Sequence, residues 1–163
     1  MSFRIGSGFD AHRLVAGRPL RLGGVLIPGA LGLEGHSDGD CLFHAVCDAL
    51  LGAAAAGDMG LHFPSSDERW RGTASETFAR ETARLVRERG FEIENLDATV
   101  IAQAPRLSAH LPAMVAGIAT ALLVPAERVS VKAKSTDGLG TIGRGEGMAA
   151  MAVALLRQSK GNG

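Results

Sequence analysis

The sequence predicts a single domain of the α/β or α+β class. Three observations carry that expectation. The chain has 163 residues, a length that one hydrophobic core can organise. Strand and helix periodicities follow one another in mixed order: strand, hairpin, helix, helix, strand, helix, strand and a final apolar element. No internal repeat, linker or low-complexity run divides them, and only the last few residues read as a flexible tail.

Each element has a local reason. FRIGSGF, residues 3–9, alternates with the two-residue period of a strand. RLGGVLIPG, residues 21–29, reads as a short hairpin turning at Gly23 and Gly24. A helix is expected to start after Ser37 or Asp38, both good N-caps, and to run to about Ala55. Thr73 and Glu76 fit a capping box, Phe78, Thr82, Leu85 and Val86 form one stripe, and Gly90 ends the next helix. A strand is expected within residues 91–105, closing at Pro105. Residues 108–123 place Leu111, Met114, Val115, Ile118 and Leu122 on one helical face. RVSVKAKS, residues 128–135, is a β-branched alternating strand, and residues 136–147 form a glycine-rich loop. MAAMAVALL, residues 148–156, fits either a strand or a helix.

Composition narrows the function classes. Seventeen Lys and Arg balance seventeen Asp and Glu, without a basic run. The electrostatic signature of a nucleic-acid or anionic-membrane partner is therefore missing. No apolar stretch approaches the roughly 18 residues of a membrane span, and MSFRIGSGFD lacks the pattern of a signal peptide. A cytoplasmic protein is expected. Cys41 and Cys47 lie six positions apart, too far along a helix to bridge, and read as reduced packing thiols.

The chemistry concentrates in two stretches, GFDAH (residues 8–12) and HSDGDCLFHAVCD (residues 36–48). On extended backbone Asp10 and His12 project the same way. On the first helix, His44 points away from the stripe of Leu42, Val46, Ala49 and Leu50, with Asp48 one turn further along its face. Asp10, His12 and His44 together make a three-ligand set with a vacant fourth position, the pattern of a catalytic rather than a structural zinc. Separately, a D-x-H is a common polar loop and a His-x-x-x-Asp a common surface pair. Spacing alone does not bring position 12 to position 44.

RIGSGFDAH, LGGV with its following IP, HSDGD, DALLG, GDMG with FP, AQAP and GRGEG, in this order, resemble the 2-C-methyl-D-erythritol 2,4-cyclodiphosphate synthase family from residue 4 to about 156. The resemblance implies a homotrimer, with a four-stranded mixed sheet and helices in each subunit and active sites at the interfaces. It implies intramolecular phosphoryl transfer on a cytidyl diphosphate substrate, with zinc on Asp10, His12 and His44. A second divalent ion, Mg²⁺ or Mn²⁺, is implied on Asp137, which is shorter than the expected Glu. His36 and Ser135 take the catalytic positions, Ser37 pairs with His36 in holding substrate, and Asp58 and Gly60 meet the methylerythritol hydroxyls. Ala102, Ala104, Pro105, Arg106, Leu107, Ser108, Ala133 and Lys134 match the cytidine pocket. Arg144 of GRGEG completes the substrate-binding set. Asp48 is read as structural or as a support for a neighbouring histidine, and His62 and His110 as ordinary polar residues. Ser65 and Thr141 depart from the family pattern, where an acidic and an aromatic residue are expected. The rival classes are a metal-dependent phosphohydrolase and a non-catalytic zinc- and nucleotide-binding subunit.

Overall fold

The computed structural model describes residues 2–159, so the expected tail at residues 160–163 lies outside the described residues. The chain opens with β1 (Phe3–Ala16), the hairpin strands β2 (Leu20–Leu22) and β3 (Val25–Ile27), and β4 (Leu31–Leu33). Helices α1 (Cys41–Ala53), α2 (Met59–His62) and α3 (Ser75–Glu88) follow. Then come β5 (Phe91–Ile101), α4 (Leu111–Leu122), β6 (Val129–Lys134), α5 (Gly140–Gly143) and β7 (Gly147–Gln158).

The main sheet has five strands in the order β4-β1-β7-β5-β6, not the expected four. The extra strand is Leu31–Leu33, which pairs antiparallel with Leu14–Ala16 at the far end of β1. Three residues carry too little alternation to announce a strand. The sheet is mixed as expected: β5 and β6 run parallel, whereas β7 runs antiparallel to both β1 and β5. The ambiguous segment is thus the central strand β7. Its Ala150, Ala152 and Ala154 are buried while Met151 and Val153 are exposed, the period of two that a strand requires.

The alanines have a partner. A side-chain carbon added at Gly6 would lie 2.2 Å from the Ala49 carbonyl oxygen, and one at Gly8 would lie 2.0 Å from that of Ala45. Glycine in β1 and alanine at four-residue spacing on α1 therefore let strand and helix backbones touch. Around this contact α1 is buried on nearly every side, with Leu42, Phe43, Val46 and Leu50 inaccessible to solvent.

Helix starts differ from expectation. Asp40, fully buried, caps α1; its Oδ1 accepts from Phe43 N at 3.1 Å. The same carboxylate accepts from Gly23 N at 3.0 Å and Gly24 N at 2.8 Å. Those glycines form the expected hairpin turn, both at positive φ, so one side chain pins the hairpin to the helix. Burial pushes the Asp40 carboxyl upward, against the N–H bonds from Gly24, Phe43 and Gly23. The capping box of Thr73 and Glu76 does not form: α3 begins at Ser75, and Ala74 offers no side-chain cap. Asp38 supplies it across the fold, its Oδ2 accepting from Ser75 N at 3.0 Å. The glycine-rich loop contains one helical turn, α5.

Helices cover one face of the sheet. The other face leaves Ile5, Phe9, Met151 and Val153 exposed, Ile5 by 73%. Cys41 and Cys47 are free and buried, and burial pushes the Cys47 thiol up to about 12. Among the described residues, no helix is long and apolar enough to cross a membrane.

Candidate functional site

Alternation along β1 puts Asp10 and His12 on the same face as Gly6 and Gly8, the face that meets α1. His44 adjoins Ala45, whose backbone rests against Gly8. The close helix–strand contact thereby joins residues far apart in sequence. Asp10 Oδ2 lies 2.7 Å from His12 Nε2 and 2.9 Å from His44 Nδ1. The two ring nitrogens are 3.2 Å apart.

Among the described residues, these three side chains converge as a group able to hold a metal ion. Ligands about 2.05 Å from a tetrahedral ion stand about 3.3 Å from one another. The observed triangle is a few tenths of an ångström tighter, so its size and its one oxygen and two nitrogens fit zinc. Three protein donors leave one position for an outside ligand. Burial acts to raise the Asp10 carboxyl, but hydrogen bonds and charge from His12 and His44 hold it well below the usual carboxylate range. The bond to Asp10 in turn raises His12 against the desolvation of its ring.

His12, His36, Ser37 and His44 line a cavity of about 210 Å³, walled by Met59, Phe63, Trp70 and Phe78. His36 Nε2 is buried and has no hydrogen-bond partner. A buried ring nitrogen left unpaired beside a metal-ligand set has its hydrogen-bonding capacity free for an incoming ligand. Ser37 Oγ is turned inward, 3.2 Å from His44 Nε2 and 3.4 Å from Gly39 N. Asp58 caps α2, its Oδ1 accepting from Leu61 N at 2.9 Å, and Gly60 follows within that helix.

A second and larger groove, about 520 Å³, has Ala102, Pro105, Arg106, Leu107, Ser108, Ala133, Lys134 and Ser135 in its walls. Ala104 belongs to the same turn without lining it. Ser135 Oγ donates to Asp137 Oδ1 at 3.0 Å, so these two residues are neighbours, but Asp137 does not join the Asp-His-His group. Arg144 pairs with Glu146 at 2.6 Å and lines neither cavity. The two cavities share no lining residue. They nonetheless open at one end of the sheet: His12 pairs with Met148, the next residue Ala149 with Ile101, and Ile101 with Lys134. Three strand spacings separate β1 from β6, roughly 14 Å.

Sequence reasoning missed three contributors, Arg18, Trp70 and Ser75, and the particular contact of a fourth, Gln103. Arg18 clamps the loop before α1 by donating to the Gly35 and Ser37 carbonyls at 2.8 and 2.7 Å. Gln103 Oε1 accepts from Gly138 N at 3.1 Å, tying the AQAP turn to the loop after β6. Trp70 closes the smaller cavity. Ser75 Oγ sits 3.0 Å from His44 Nε2. None has a spacing signature, because each acts across the fold. Asp48 accepts from Met59 N at 2.8 Å, tying α1 to α2, which is the structural half of its expected role. His62 likewise bonds the Ala56 carbonyl at 2.8 Å.

A mixed sheet covered on one face, with a three-donor group able to hold a metal ion beside a buried, unpaired histidine, is the arrangement expected of a metal-dependent enzyme of the α+β class. The chain belongs to the YgbB family, whose sequence model matches residues 3–157. It is 57% identical over 165 residues to the 2-C-methyl-D-erythritol 2,4-cyclodiphosphate synthase of Desulfosudis oleivorans, covering 98% of each chain. Its fold is similar to the bifunctional IspDF of Campylobacter jejuni, with a TM-score of 0.93, 42% identity and 96% of this chain covered. The chain spans only 42% of that longer protein. It also resembles a 2C-methyl-D-erythritol-2,4-cyclodiphosphate synthase solved in a form bound to CDP. There the TM-score is 0.87 and the identity 43%, over 94% of this chain and 100% of the other.

Proposed function

We infer that this chain converts 4-diphosphocytidyl-2-C-methyl-D-erythritol 2-phosphate to 2-C-methyl-D-erythritol 2,4-cyclodiphosphate with release of CMP, a step of the non-mevalonate isoprenoid pathway. One observation carries the reading: the Asp10–His12–His44 cluster opens on the cavity that holds the unpaired His36 Nε2. The close relatives with that named activity supply the substrate.

In this reaction an oxygen of the 2-phosphate attacks the β-phosphorus. The bond from that phosphorus to the bridging oxygen breaks, and CMP leaves with the oxygen and its electron pair. Little covalent help is needed; the chain must align the attacking and leaving oxygens and accommodate charge. Asp10, His12 and His44 would hold zinc, and Asp137 would hold a second divalent ion, Mg²⁺ or Mn²⁺. Bound there, such ions supply Lewis acidity to phosphate oxygens and fix their orientation. His36 directs its free ring nitrogen at the migrating phosphate, and Ser135 offers a hydroxyl from the other cavity. Ser37 supports His36 in holding substrate, while Asp58 and Gly60 face the methylerythritol hydroxyls. The groove from Ala102 to Ser108, with Ala133 and Lys134, receives cytidine, and Arg106 faces the diphosphate.

Assembly into a homotrimer completes the site in this reading. Two cavities without a shared residue, and an apolar sheet face led by Ile5 and Phe9, support a cytidine groove contributed by a neighbouring subunit. Arg144 then belongs to the assembled interior. Phosphorus NMR of the purified chain with substrate, Zn²⁺ and Mg²⁺ tests the reaction. Equal CMP and cyclic diphosphate are expected, with His44→Ala losing both zinc and turnover. CMP accompanied by a linear diphosphate would instead make the protein a hydrolase. Sedimentation equilibrium should give three subunits; a mass of one or two overturns the shared site.

A further inference from the structure

His44 is held from both sides. Its Nδ1 faces the metal cluster, 2.9 Å from Asp10 Oδ2, and its Nε2 faces away, 3.0 Å from Ser75 Oγ. Ser75, fully buried at the start of α3, is itself engaged: its Oγ donates to Asp38 Oδ1 at 2.5 Å. We propose that Asp38 and Ser75 are positioning residues that fix the tautomer and ring orientation of His44 for metal binding. The inference rests on the reading of Asp10, His12 and His44 as metal ligands.

The direction of each hydrogen bond follows from what the groups can do. A carboxylate only accepts, so the Ser75 hydroxyl spends its one hydrogen on Asp38. Only lone pairs of Ser75 Oγ are left to face His44, so this contact is a hydrogen bond only when Nε2 carries a ring proton. Without a metal Nδ1 faces the Asp10 carboxylate and donates to it; once a metal ion takes Nδ1, the one proton left on the neutral ring sits on Nε2. Nδ1 is the atom beside Asp10 Oδ2 and His12 Nε2. Ser37 Oγ, 3.2 Å from Nε2 and already taking the Gly39 N–H, has a further lone pair that can accept on the same side. The chain from Asp38 through Ser75 to His44 does what a carboxylate bonded directly to a metal-binding histidine does: it selects the tautomer, blocks ring flips and increases ligand basicity.

A purely structural account of the same atoms exists, since Asp38 Oδ2 also caps α3 through Ser75 N at 3.0 Å. Ser75→Ala separates the two roles, because alanine keeps that backbone N–H and loses only the hydroxyl. Thr82→Val removes another fully buried hydroxyl from the same helix, one that makes no hydrogen bond to His44, and serves as the matched control.

Zinc affinity of the purified full chain, read by competition with a chromophoric chelator, is the first measurement. Ser75→Ala should weaken zinc binding by about ten- to a hundredfold, with Thr82→Val staying within about twofold of the parent by the same reasoning. The second is a long-range proton–nitrogen NMR spectrum of the zinc-bound parent protein, which should show His44 protonated on Nε2. The proposal is overturned if Ser75→Ala melts earlier yet binds zinc like the parent, or if His44 carries its proton on Nδ1. Should Ser75→Ala fail to fold, the tautomer in the parent protein decides. A parent chain that binds no zinc removes the metal reading itself, an outcome distinct from a zinc-binding parent matched by its Ser75→Ala variant.

Discussion

Replacing Gly8 by alanine probes the contact that builds the metal cluster. The added carbon would stand 2.0 Å from the Ala45 carbonyl oxygen and 2.7 Å from Ala49 N. Ordinary contact begins near 3.4 Å, so β1 and α1 must part by more than 1 Å, roughly the 3.4 less the 2.0 just given. Both neighbours are backbone atoms, so no side chain can rotate away. Overpacking of this kind costs about 3 kcal/mol, the upper part of the usual range. For a chain of this length that lowers the melting temperature by about 6–12 °C. Asp10 is two residues from Gly8 and His44 is next to Ala45, so the same displacement opens the 2.9 Å approach of Asp10 to His44. Metal sites tolerate errors of only about 0.2 Å in ligand distance, and zinc affinity should fall by at least about a hundredfold. Calorimetry and zinc content after dialysis against a buffered zinc pool would measure both effects. Gly29→Ala, where the added carbon meets nothing within 4 Å, is the control. A Gly8→Ala protein that melts within about 2 °C of the parent and keeps its full complement of zinc would refute the close-contact argument.

Asp40→Asn keeps acceptors for at most two of the three N–H groups of Gly23, Gly24 and Phe43. It should cost about 2–3 kcal/mol, read as a lower urea midpoint with an unchanged slope. The Cys47 thiol, pushed up to about 12, and the buried Cys41 should resist a thiol reagent at neutral pH until the chain unfolds; rapid labelling of the native protein would contradict their burial. In the metal-free protein, Asp10 lies below its ordinary 3.8 and His12 above its ordinary 6.5. Their contribution to stability is therefore lost as pH falls through the lowered Asp10 value, and again as pH rises through the raised His12 value. Urea midpoints of the metal-free parent should exceed those of His12→Gln most between pH 3.8 and 6.5, and a difference that grows above that range would reverse the assigned sign.

Elements whose signals are local were readable from the sequence. The Gly23–Gly24 hairpin, the stripe of α3 and the branched strand β6 stand where the periodicities put them. Elements decided by partners were not. Ser37, Asp38 and Asp40 are all competent caps, and only the hairpin's need for an acceptor selects Asp40. β7 is read as either strand or helix because alanine suits the close approach of α1 and carries little strand preference of its own. The ligand types at positions 10, 12 and 44 were legible as chemistry, but their meeting depends on the absence of a side chain at Gly8. Ser75 was hidden by a plausible local alternative, since Thr73 and Glu76 satisfy the capping-box pattern while the helix takes its cap from Asp38.

The two sides of β1 carry different duties, with Gly8, Asp10 and His12 turned to α1 and Phe9 and Ile5 to the outside. Deleting or inserting one residue before Asp10 would exchange these sides wholesale, sending the ligands outward and the phenyl ring into a space too tight for a methyl group. Evolution of chain length is consequently channelled away from this strand. Insertions and deletions in related chains should gather at turns such as those of Gly17, Gly29 and Gly72, where an added carbon meets no neighbour, while the count of residues from Gly6 to His12 stays constant.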